Sequence, residues 1–133
     1  AFALSPLRIF LNRRERFSDG CVTEDQVEPL CEEIADKLMS LRSGLEPVIE
    51  RVVRGKDLYS GPQAVHAPDL IALTHPGYDG KSSFDAKEVL AEAVLTGMHT
   101  HNDAFFWAAY EEPQEKPWRI TGLAPRLVAS LLS

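Results

Sequence analysis

The chain has 133 residues, 44% hydrophobic and 26% charged, with a formal net charge of -6. This is the size and composition of one globular domain. The acidic balance excludes a nucleic-acid partner held by charge, which needs positive residues clustered on one face. No apolar run approaches the ~18–20 residues of a membrane span, so no membrane association is expected.

In chain order, Leu7 to Asn12 (LRIFLN) reads as a short strand, rich in β-branched and aromatic residues and preceded by Pro6. The cluster Arg13-Arg14-Glu15-Arg16 that follows, interrupted by its glutamate, reads as a solvated turn. Val27, Leu30, Cys31, Ile34, Leu38 and Leu41 then recur at the spacing of one helical face. Two starts compete for this helix. Thr23 with Gln26 forms a capping box, which leaves Pro29 inside the helix. Pro29 at the first helical position, capped by Glu28, is the other. A short turn from Thr23 bending into the main helix at Pro29 satisfies both. Gly44 is the expected terminator.

Pro47 to Gly55 (PVIERVVRG) alternates as a strand, and Tyr59-Ser60-Gly61-Pro62 is a turn. Leu70 to Leu73 forms the core of a buried strand ended by His75-Pro76-Gly77. The segment 82–97 is expected to form a second helix, with Asp85 and Glu88 at its start, Gly97 at its end and Val89, Leu90, Ala93 and Val94 as its stripe. Ala104 to Tyr110 (AFFWAAY) is a continuously apolar strand of the kind covered on both faces. The closing segment ITGLAPRLVASLLS is a terminal helix with Leu123, Leu127, Val128, Leu131 and Leu132 inward.

The resulting order, β-α-β-β-α-β-α, places the chain in the α/β or α+β class, with a small mixed sheet and about three helices. Cys21 and Cys31 are too few for a disulfide framework and are expected as reduced thiols of a cytoplasmic protein. Cys31 falls on the apolar helix face. No signal-peptide pattern opens the chain, and its first residue is Ala rather than Met, which fits a processed product or an excerpt of a longer protein.

The stretch His99-Thr100-His101-Asn102-Asp103 carries the chemistry most open to a metal. Two residues apart on extended backbone, His99 and His101 share a face. Imidazole suits zinc, and Asp103 offers a carboxylate. The competing reading is a turn in which these side chains bond to backbone groups. His66 and His75, each beside a proline-containing segment, read as surface turn histidines. The stretch also matches part of the His-x-His-x-Asp-His signature of metallo-β-lactamase-like hydrolases, but Ala104 stands where the further histidine belongs.

Taken over its whole length, the chain resembles the C-terminal part of type I phosphodiesterase/nucleotide pyrophosphatase-like proteins of the alkaline phosphatase superfamily. Five segments fall in that family's order. SPLRIFLNRRERFSDGCV looks like its strand, charged turn and Gly-x-Val. IADKLMSLRSG with PVIERVVRGKDLYSGP looks like its helix and its basic-acidic-Leu-Tyr-x-Gly turn. APDLIAL, TGMHTHNDAFFWA and LAPRLVASLLS are similar to its Ala-Pro-Asp-Leu-Ile strand, its Gly-x-His turn with core strand, and its closing helix.

The resemblance implies an alkaline-phosphatase-like fold of which this chain is a fragment. Residues 1–96 would be an inserted, cap-like subdomain. Residues 97–133 would hold the Gly-x-His turn, core strand and closing helix of the parent domain. It implies a metal-dependent phosphodiesterase or phosphatase acting on a small phosphate ester, with zinc or another divalent ion in the intact protein. His99 becomes the metal ligand, and His101 and Asp103 become supporting residues. The family's nucleophile and remaining ligands have no counterpart in these 133 residues. No catalytic residue is therefore assigned, no hydrolysis is expected of the chain alone, and the chain by itself need hold no metal. The alternative is a non-catalytic α/β interaction domain that keeps the fold without the site. In either case the apolar strand 104–110 is open to pairing with a second copy of the chain.

Overall fold

The computed structural model describes residues 1–81, 86–92, 94, 122, 125, 128 and 129. The chain divides into two compact units, Ala1–Thr100 and His101–Ser133. Within the first, a four-stranded antiparallel sheet and a long helix make an α+β fold.

The sheet begins with a hairpin. Strand β1 (Phe2–Ser5) pairs antiparallel with β2 (Arg8–Phe10), with Phe2 opposite Phe10 and an irregularity between Ala3 and Ser5. The turn is Pro6-Leu7, and Leu7 adopts φ 57°. A left-handed leucine is unfavourable in isolation. Here its carbonyl accepts the Ala72 N–H at 3.0 Å, and its side chain packs on the Val48, Ile49 and Ala72 cluster. The Phe2 ring stacks on Phe10 and meets Phe17 edge-on, with centroids 5.9 and 5.2 Å apart.

Helix α1 spans Glu24–Met39. It starts at Thr23, whose N–H and hydroxyl both donate to Gln26 Oε1, at 3.1 and 2.9 Å. Pro29 therefore lies inside the helix, and the alternative start at Glu28 is not used. The expected stripe is the buried face. Cys31 is fully covered with Leu11 and Leu70, among Ile9, Val27, Leu30, Ile34 and Val52. Leu38 and Leu41 reach a second cluster of Val48, Ile49 and Ala72.

The helix ends earlier than Gly44 predicts. Ser40 closes it, its hydroxyl donating to the Lys37 carbonyl at 2.7 Å. Gly44, at φ 62°, instead forms the turn of a small hairpin between β3 (Arg42–Ser43) and β4 (Glu46–Pro47). A left-handed glycine serves either role, and the two residues between Ser43 and Glu46 set the hairpin.

Strand β5 (Ile49–Arg54) runs directly into a single helical turn, α2 (Gly55–Leu58). Strand β6 (Leu70–Thr74) lies between β5 and β2, giving the order β1-β2-β6-β5. Leu70, Ala72 and Thr74 are buried and alternate with half-buried Ile71 and Leu73.

Two expected helices differ from the structure. Residues 86–92 and 94 are not helical. Among the described residues of their stripe, Leu90 packs on the core, while Val89 and Val94 are exposed. A short helix draws its stability from packing an apolar face, and with Val89 and Val94 exposed that packing is not made at their positions. In the closing segment Gly122, Pro125, Val128 and Ala129 are helical, but Val128 is exposed rather than inward. The expected strand 104–110 lies outside the described residues.

Candidate functional site

The turn after β2 is solvated only in part: Arg14 and Glu15 are exposed, while Arg13 and Arg16 are half-buried. Register brings Asp69, just before β6, to the end of β2: its N–H donates to the Ile9 carbonyl at 2.9 Å. Its carboxylate then accepts the Leu11 N–H at 2.8 Å through Oδ2. Arg13 Nη1 reaches Oδ1 at 3.2 Å, and Arg16 Nη1 reaches Oδ2 at 3.5 Å. The Asp69 side chain is 5% exposed, and those of Arg13 and Arg16 are 23% and 15% exposed. Arg16 also donates to the Ala67 carbonyl at 3.0 Å. A buried carboxylate requires such partners, and one residue thereby ties strand, turn and loop together.

Three further ion pairs, made by Glu24 and Glu28 of α1, join this corner to the helix. Arg13 Nη2 meets Glu24 Oε2 at 2.5 Å. Burial opposes the charge of Arg13, but its hydrogen bonds to Glu24 and Asp69 outweigh that cost and raise its pKa. Glu28 takes Arg54 on Oε1 and Lys56 on Oε2, the latter at 3.0 Å. The hydrogen bond from Lys56, then that from Arg54, holds the Glu28 carboxyl below its ordinary range. A folded pKa below the unfolded one contributes stability above the unfolded pKa, and this is lost as pH falls through the folded value. Glu28→Gln should therefore flatten the stability profile on the acid side of the ordinary carboxylate range. Urea midpoints measured for both proteins across that window check this.

These groups line a cleft of about 460 Å³. Four cations, Arg13, Arg16, Arg54 and Lys56, face four acids, Glu15, Glu24, Glu28 and Asp69. Val27, Tyr59 and Val65 supply part of the wall, and the buried Cys31 belongs to its lining. A concave site with convergent charges and an apolar side suits a small polar ligand.

The histidines are placed differently. His66 is exposed at the end of the 3-10 turn Ala64–His66. His75 is half-buried and acts through its backbone, donating to the Val48 carbonyl at 3.0 Å and accepting from the Tyr78 N–H at 3.2 Å. His99, His101 and Asp103 lie outside the described residues. Among the described residues no three His, Cys, Asp or Glu side chains are grouped to hold a metal ion. Cys21 is exposed, Cys31 is buried, and both are free thiols. No helix among the described residues is long and apolar enough to cross a membrane.

Sequence reasoning missed the Asp69 centre. The local signal was Pro68-Asp69 directly before a buried strand. An acid at that place has to find cations, and Arg13 and Arg16 stand more than fifty residues earlier. No family model, no curated protein and no solved structure matches the chain.

Proposed function

We propose that the chain is the C-terminal portion of a metal-dependent phosphoric ester hydrolase, a phosphodiesterase or phosphatase, in which His99 is one ligand of a divalent metal ion. The observation that carries this reading is the ordered run of five segments that resembles type I phosphodiesterase/nucleotide pyrophosphatase-like proteins. The described elements support it. SPLRIFLNRRERF supplies a strand and an ion-paired turn, IADKLM closes α1, VIERVVRG becomes β5, and PDLIAL becomes Asp69 with β6. Residues 1–96 then serve as a subdomain beside the catalytic centre, and 97–133 return the chain to the parent fold.

In this role His99 contributes one nitrogen to a metal that polarises a phosphoryl oxygen. A single imidazole does not hold a catalytic ion, which takes about three protein ligands and an open position. Bis(p-nitrophenyl) phosphate should therefore be hydrolysed by the intact gene product and not by residues 1–133 alone. His99→Ala in the intact protein should reduce turnover by about a hundredfold or more, as loss of a metal ligand does. Unchanged turnover in that variant, or turnover by the isolated chain, would overturn the assignment.

A further inference from the structure

The ion pairs of the cleft fall into two kinds. Asp69 is fixed: its carboxylate is almost fully covered and also holds the Leu11 N–H. Glu24 and Glu28 are not. Their side chains are 64% and 54% exposed and reach across from α1 on flexible stems. They can turn into water without stranding a buried group of their own. Arg13 and Arg54 cannot follow them, because 23% and 18% of their side chains is all that water reaches.

The glutamate ends of these pairs face water, where salt screens them, so another anion in the cleft can compete with these glutamates. With Glu28 turned out, Arg54 and Lys56 lose the carboxylate they share and present two positive charges to an incoming anion. Glu28 also shows how an anion is held. Arg54 takes one of its oxygens and Lys56 the other, so both cations already converge on a single anionic group. The Glu28 carboxylate stands where a ligand's phosphoryl oxygens would sit.

We infer that the cleft between α1 and the β5–α2 corner binds a phosphate monoester dianion, with Arg54 and Lys56 on its oxygens in place of Glu28. The dianion matches their two positive charges. Arginine and lysine are both suited to phosphoryl oxygens, the one as a fork and the other as a point charge. The organic remainder of the ester faces Val27, Tyr59 and Val65 on the cleft wall. A cleft of about 460 Å³ has room for a small ester of this kind. The site uses none of His99, His101 or Asp103 and does not rest on the metal reading above.

The test titrates the full chain with inorganic phosphate and with phenyl phosphate, by calorimetry or amide NMR shifts. Ionic strength is held constant, EDTA is present, and the pH is mildly alkaline so that both probes are dianions. Saturable one-to-one binding is expected, and a tighter constant for phenyl phosphate identifies the ester as the preferred source. Glu28→Gln should tighten binding by about threefold, because it removes a weak competing ion pair. Lys56→Ala should weaken it by about tenfold or more, the effect of one charged hydrogen bond. Lys56 is largely exposed, so that variant keeps the fold, which far-UV circular dichroism verifies. Absence of saturation at millimolar phosphate would overturn the inference, as would binding that Glu28→Gln leaves unchanged or weakens. Binding that appears only when EDTA is left out, or that His99→Ala abolishes, would place the phosphate on the metal instead and equally overturn it.

Discussion

Asp69→Ala should cost the described unit about 3–5 kcal/mol of unfolding free energy, the range for removing one partner of a buried ion pair. The Asp69 carboxylate is 5% exposed and answers three donors at once: the Leu11 N–H at 2.8 Å, Arg13 at 3.2 Å and Arg16 at 3.5 Å. Its loss leaves a buried N–H without an acceptor and two mostly covered guanidiniums without their shared counter-charge. Arg16 retains the Ala67 carbonyl and Arg13 retains Glu24, which limits the damage. Asp69→Asn keeps an acceptor for Leu11 while removing the charge, so its cost should fall between wild type and the alanine variant. Urea unfolding of the three proteins checks the order. Equal midpoints for all three would show that the turn after β2 is held by other contacts.

Gly55→Ala carries the second large effect. Gly55 follows β5 directly and begins α2, and its N–H donates to the Asp69 carbonyl at 3.0 Å. A Cβ there would lie 1.8 Å from the Pro68 carbonyl oxygen and 3.0 Å from the Pro68 carbonyl carbon. Both are backbone atoms, so no side chain can move aside. Either β5 separates from the Pro68-Asp69 loop or the hydrogen bond to Asp69 breaks. Overpacking typically costs about 1–3 kcal/mol, and the absence of any flexible neighbour puts this case at the upper end. Because the displaced loop carries Asp69, Gly55→Ala and Asp69→Ala should be non-additive, each removing part of what the other removes. A Gly55→Ala midpoint matching wild type would contradict this account of the corner.

Much of the described fold was legible because it rests on periodicity. The stripe from Val27 to Leu41 could bury only as a helix, the alternation of residues 49–54 suited a strand, and the apolar run Leu70 to Leu73 suited a buried one. What failed were features decided by contacts distant in sequence. Strand β1 went unread because Pro6 marks a boundary, and nothing local shows that the turn will be closed by the Ala72 N–H on the Leu7 carbonyl. Gly44 serves a hairpin rather than a helix end because the chain doubles back within two residues. The helix expected over 82–97 had a good stripe, but among its described stripe residues Leu90 alone meets the core.

The candidate site shows the same division. Arg13-Arg14-Glu15-Arg16 looks solvated in isolation, and only β2–β6 pairing brings Asp69 beneath it. The cleft depends on that pairing and on α1 lying across the sheet, so its residues come from four separate segments. The metal candidates His99, His101 and Asp103 were identified from residue chemistry and resemblance, and they fall outside the described residues.

The central claim, that His99 ligates a metal while its neighbours do not, is tested most directly by the metal content of the purified intact gene product. Atomic absorption of wild type and of the His99→Ala, His101→Ala and Asp103→Ala variants gives the answer. Tightly held divalent metal in wild type, reduced by His99→Ala and kept by the other two, is the predicted result. No bound metal in wild type, or equal loss in all three variants, would contradict it. Equal loss would mark the stretch from His99 to Asp103 as a metal site in its own right.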